Sequence, residues 1–66
     1  MDRLAEKQQR IENELLPLAR KLMQDPKQTS DTVRWEIEHY ARRTWLLSSS
    51  VARDYAYLVM DRMRNH

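Results

Sequence analysis

The sequence predicts an all-α fold, an antiparallel helical hairpin that dimerises into a helical bundle. Three observations predict it. The chain has no Gly and only two Pro, so the tight turns that β-rich folds depend on have no residues to form them. Apolar residues fall at Val33, Ile37, Tyr40, Leu47, Val51, Tyr55 and Leu58, with Thr44 keeping the register, in steps of three and four. That spacing is the stripe of one amphipathic helix. A second stripe precedes it at Leu4, Ile11, Leu15, Leu18 and Leu22, with Gln8 filling a polar place in the seam.

The first helix is expected over about residues 2–24. Glu6 and Arg10 lie four apart on its outer side and form a pair worth roughly 0.2–0.5 kcal/mol. Pro17 interrupts the pattern inside Leu15-Leu16-Pro17-Leu18. An interior proline removes a backbone hydrogen bond and crowds the preceding turn. The stripe nevertheless stays in phase to Leu22, so a kink is expected, with a full break and a new helix at Pro17 as the alternative. Residues 25–29, which begin Asp25-Pro26, form the loop. Ser30 is the expected N-cap of the next helix, with Thr29 and Asp31 as rivals.

The second helix is expected over about residues 31–64. At 1.5 Å per residue it is roughly 50 Å long, against roughly 33 Å for the first. A hairpin so lopsided leaves Tyr55, Leu58 and Val59 without an intrachain partner, and a second copy would cover them. The alternative is a break at Ser48-Ser49-Ser50, with Ser49 or Ser50 capping a third helix and the monomer closing on itself. The expected core is Leu4, Ile11, Leu15, Leu18, Leu22, Val33, Ile37, Tyr40, Leu47, Val51, Tyr55 and Leu58.

Size and composition narrow the function classes. A chain of 66 residues forms at most one domain and buries only about 60% of the surface its unfolded form exposes. Such chains usually need a staple. With no Cys and only two distant histidines, His39 and His66, neither disulfides nor a structural metal supply it. Self-association is therefore expected. Twelve Lys and Arg against ten acids give a net charge of +2, too weak a bias to name a nucleic-acid partner. No apolar run approaches the ~20 residues that span a bilayer, and Met1-Asp2-Arg3-Leu4 opens no signal peptide. A cytoplasmic protein with no membrane contact is expected.

No nucleophile elbow, phosphate loop or paired-carboxylate pattern occurs. The expected protein is not an enzyme and carries no cofactor, metal or small-molecule substrate. A second strip on the long helix suggests what it does instead. Trp35, His39, Arg42, Leu46, Tyr57 and Met60 carry aromatic groups and cations away from the core stripe, and Trp, Tyr and Arg dominate interface hot spots. The expected function is a regulatory interaction protein that self-associates and docks this strip on a protein partner. The alternative is a small DNA-binding regulator. Ala41, Leu46 and Val51 have helix-turn-helix spacing, which would set Ser49, Ser50, Arg53 and Tyr57 toward a groove and Arg42 and Arg43 toward phosphates.

Overall fold

A computed structural model describes residues 3–65 of the chain, with side chains from Ala5 onward. In chain order the described residues form α1 (Arg3–Arg10), one π turn (Ile11–Leu15), α2 (Leu16–Met23), α3 (Ser30–Trp45) and α4 (Ser49–Arg64), and no strand. The backbone stays helical from α1 through the π turn into α2, so three rods make up the all-α bundle. The Cα radius of gyration is 11.3 Å, close to the ~10.8 Å of a compact chain of this length.

Pro17 explains the π turn. It has no N–H to give to the carbonyl four residues back. The turn before it widens, and the Leu16 N–H donates to the Ile11 carbonyl, five residues back. Pro17 then lies in the first turn of α2, where a missing N–H costs nothing. The expected kink is thus a hydrogen-bonded bulge within a continuous rod. The wide turn also rotates the buried face. Ile11 and Leu15 are buried before it, Leu16 and Ala19 after it, while Leu18 and Leu22 are only half-buried. Leu4, expected in the core, lies outside the residues whose side chains are described.

In the loop, the Asp25 carboxylate accepts the Lys27 N–H at 2.9 Å and its carbonyl accepts the Gln28 N–H at 3.0 Å. The cap of α3 is Thr29, one of the rivals, rather than Ser30. Thr29 Oγ1 accepts the Thr32 N–H at 3.2 Å, and Thr32 Oγ1 accepts the Thr29 N–H at 2.8 Å. This reciprocal box satisfies two orphan donors at once. Asp31 adds an acid to the electropositive first turn.

The long second helix does not exist. α3 stops at Trp45, and Leu46 takes the left-handed conformation at φ 53°, ψ 45°. The N–H groups of Leu46 and Leu47 both turn back to the Arg42 carbonyl, the closure in which such a residue ends a helix. Ser48 restarts the chain as the N-cap of α4, its Oγ accepting the Val51 N–H at 3.4 Å. The break is therefore at the serines, but the capping residue is Ser48, not Ser49 or Ser50.

With the corner in place α4 folds back along α3. Near the corner Arg53 meets Glu38 at 3.7 Å. Farther out Arg34 donates to the Tyr57 hydroxyl at 2.6 Å. Against the first rod α4 runs in the same direction, with Lys7 paired to Asp54, Arg10 donating to the Tyr55 hydroxyl at 3.3 Å and Arg62 to Glu12 at 2.9 Å. Tyr55 and Val59 are buried, so the expected overhang is absent.

The core joins Ile11, Leu15, Leu16 and Ala19 to Val33 and Ile37 of α3 and to Tyr55, Ala56 and Val59 of α4. Ala41 and Ala52 are buried as well. Two expected core residues are not inside: Val51 is 43% exposed and Leu58 39%. Their register assumed a helix running on through the serines, and the corner lets α4 turn to a different face. Tyr40 and Leu47 are half-buried against the cluster. At the α1 end of the core Trp45 stacks on Tyr55 at 5.9 Å, and Tyr40 meets Trp45 edge-on at 6.2 Å. Above these rings lie the Arg10 guanidinium, 5.0 Å from Trp45, and the Lys7 ammonium, 5.2 Å from Tyr55, an arrangement that favours cations.

This core predicts a contrast in denaturant unfolding. Ile37→Ala, at a fully buried position, should lose about 2–5 kcal/mol. Val51→Ala should stay within about 0.5 kcal/mol of the parent. A large loss at Val51 would restore the continuous helix.

Candidate interaction surface

The inward residues of α3 are Val33, Ile37 and Ala41. At about 100° per residue, His39 stands at the middle of the opposite, outward face. Around it lie Trp35, Glu36, Arg42, Arg43 and Leu46. Trp35 is 56% exposed and its ring lies 3.8 Å from that of His39, tilted by 32°. The histidine is thus partly covered by a neighbour on its own helix. Leu46, at the corner, is 89% exposed. With His39, Arg42, Arg43 and Leu47 it lines a shallow depression.

The six residues expected to dock a protein partner divide in space. Trp35, His39, Arg42 and Leu46 stand together on the outer face of α3. Tyr57 belongs to the adjoining groove between α3 and α4, which Trp35, Glu38 and Arg53 also line. Its ring lies 5.0 Å from the Arg34 guanidinium. Met60 is elsewhere. It packs on the core and lines a separate groove with Met23 and Met63, because α4 is rotated by the corner.

The residues of the DNA alternative also fall in more than one place. Arg42 and Arg43 are exposed on α3, and Ser49 and Ser50 are exposed in the first turn of α4. Arg53 is paired with Glu38 and Tyr57 holds Arg34, both in the α3–α4 groove.

The outer face leaves part of its charge unpaired within the chain. Among the described residues six ion pairs form, and they engage Glu6, Lys7, Arg10, Glu12, Asp31, Arg34, Glu38, Arg53, Asp54, Asp61, Arg62 and Arg64. Glu36, Arg42 and Arg43 are in none of them, and neither are Glu14, Arg20, Lys21, Asp25 and Lys27. Glu38 lies four residues before Arg42, a spacing that suits an ion pair along one helix. Instead Glu38 reaches across to Arg53, which leaves Arg42 free.

The core holds no buried charged or polar side chain, and no buried side-chain N or O among the described residues lacks a partner. No group of three or more His, Asp or Glu among them is placed to hold a metal ion. No helix among them is long and apolar enough to cross a membrane. What the arrangement offers chemically is contact: two large apolar groups, Trp35 and Leu46, flanked by unpaired cations.

Leu46 gives a direct test of what this corner is for. A left-handed conformation costs a non-glycine residue about 1–2 kcal/mol, and a side chain so exposed returns little by burial. Leu46→Gly should therefore leave stability in thermal unfolding unchanged or raise it by up to about 1 kcal/mol. A clear loss of stability would mean that the leucine serves the fold. No protein-family model, curated protein or solved structure matches this chain, so the functional reading rests on this surface.

Proposed function

We propose that the protein is a non-catalytic interaction protein of the cytoplasm, which self-associates and docks the outer face of α3 on a protein partner. The observation that carries this is Leu46. A leucine 89% exposed and held in a left-handed conformation is costly on both counts for folding alone. Its neighbours on the face, Trp35 and Arg42, are of the residue types that concentrate binding energy when water is excluded around them. The bundle closes without this face, so the face is available for contact.

Arg42 and Arg43 favour a second reading, contact with nucleic-acid phosphates. The packing of α3 on α4 weighs against the helix-turn-helix form of it. In that motif the helices diverge at about 90–120°. Here Arg34 and Tyr57, twelve and eleven residues from Leu46, still touch at 2.6 Å. At about 1.5 Å per residue a right-angle crossing would hold them far beyond that reach.

A photo-crosslinking residue placed singly at Leu46, Trp35 and Lys21, in the cells that make the protein, separates these readings. Lys21 is exposed on α2, away from the outer face of α3. Adducts to protein should form from Leu46 and Trp35, not from Lys21, and the Leu46 adduct should fall when Trp35 is changed to Ala. Equal adducts from all three positions would overturn the reading. Adducts that nuclease destroys, and that fade steeply as salt rises or on Arg42→Ala, would replace it with the nucleic-acid one.

A further inference from the structure

The outer face of α3 is self-complementary about His39. Residues three before and three after it are Glu36 and Arg42. Residues four before and four after are Trp35 and Arg43. Seven before and seven after are Thr32 and Leu46. At about 100° and 1.5 Å per residue, each pair stands at opposite heights and on opposite sides of the line through His39. In a facing antiparallel copy the two-fold axis lies between the helices, level with His39 and at right angles to the line joining them, so height is inverted and side is kept: Glu36 and Arg43 share one side at opposite heights, and Trp35 and Arg42 share the other.

We propose that a second copy of this chain occupies the face, with the two α3 helices antiparallel and His39 at the two-fold axis. This rests on the reading that the outer face of α3 is an interaction surface, and it identifies the partner in that contact. The charges carry the argument. An isologous interface requires that the surface fit itself, so each contact between residues i and j is made twice. Here Glu36 of each copy faces Arg43 of the other, giving two ion pairs, one on each side of the axis. Trp35 of each copy faces Arg42 of the other, a cation over an exposed aromatic ring. Leu46 of each copy covers the Thr32 methyl group of the other. Glu36, Arg42 and Arg43 have no ion pair within their own chain, while Asp31, Arg34 and Glu38 of the same helix do. The outer faces of two α3 helices approach without obstruction from other rods, since the first rod and α4 both pack on the inward side. A parallel arrangement would instead set Arg42 beside Arg42 and Arg43 beside Arg43.

Sedimentation equilibrium of the full chain over a range of concentrations, with charge-reversed variants, tests this. The wild type should reach the mass of two chains. Arg43→Glu and Glu36→Arg, each alone, create two like-charged contacts and should weaken the dimer by at least about tenfold. The double variant E36R/R43E restores opposite charges at both places and should return dissociation to near the wild-type value. Trp35→Ala should weaken the dimer as well. All these positions are outside the core, and circular dichroism of each variant checks that the helices remain. A single-chain mass throughout would overturn the second copy, while the crosslinking contrast between Leu46 and Lys21 would still decide whether the face binds another protein. A dimer indifferent to the reversals and to Trp35→Ala would show that association uses another surface, which overturns the second copy on this face and leaves the crosslinking contrast to decide what the face binds. A dimer weakened by the single reversals but not recovered in the double variant would overturn the antiparallel register and keep the face.

Discussion

The bundle depends on a corner of three residues, Leu46 to Ser48, made without glycine. A helix that continued past Trp45 would carry Tyr55 and Val59 out into water, beyond the reach of the first rod. The left-handed Leu46 costs about 1–2 kcal/mol. Against it stand the two N–H groups that close on the Arg42 carbonyl, the Ser48 cap at about 1 kcal/mol and the burial of Tyr55, Ala56 and Val59. A fully buried Val or larger apolar side chain contributes about 1.5–3 kcal/mol. The balance therefore favours the corner by burial, not by the local conformation of the turn. In this chain tertiary packing overrides what the backbone prefers at one residue.

That same balance explains which parts of the fold were legible in the sequence. Helical spacing and the absence of glycine identified the all-α class, and Asp25-Pro26 marked the first boundary. The cap moved by one residue because Thr29 and Thr32 satisfy each other, which Ser30 has no partner to do. The second boundary was harder. The large apolar residues stay in phase across Ser48-Ser49-Ser50, so periodicity argued for one helix while the serines offered a cap. Length held the deciding information, because only a fold-back gives α4 something to bury against. The core suffered from the same habit of counting large side chains. Ala41, Ala52 and Ala56 are fully buried, yet alanine carries too little apolar area to mark a stripe. Pro17 displaced the inward face of the first rod from Leu18 to Ala19 through a π turn that spacing alone does not reveal.

The candidate surface was legible where it lies on one helix. Trp35, His39, Arg42 and Leu46 needed only the 3.6-residue repeat to be placed together. Tyr57 and Met60 depended on the direction and rotation of α4, and the corner changed both. Tyr57 remains next to the surface only because α4 returns along α3. Met60 faces another groove. The pairing of charges was similarly beyond sequence spacing. Glu38 has cations four residues away on either side, but the fold-back offers it Arg53 from another helix.

The corner also separates folding from contact. It needs a residue able to take φ near 53°, and glycine does that at the lowest cost. It needs no side chain there, since Leu46 projects away from the core. The apolar group thus adds exposed surface at a position where the backbone already bears strain, and it does so at the end of a face whose charges are left unpaired. A solvated helix face tends to neutralise itself through pairs three or four residues apart, as Glu6–Arg10 and Asp31–Arg34 do here. The outer face of α3 departs from that pattern in both charge and hydrophobicity, and the two departures share one helix. An interface accounts for both at once, because it supplies opposite charges to Glu36 and Arg43 and removes Trp35 and Leu46 from water in a single contact.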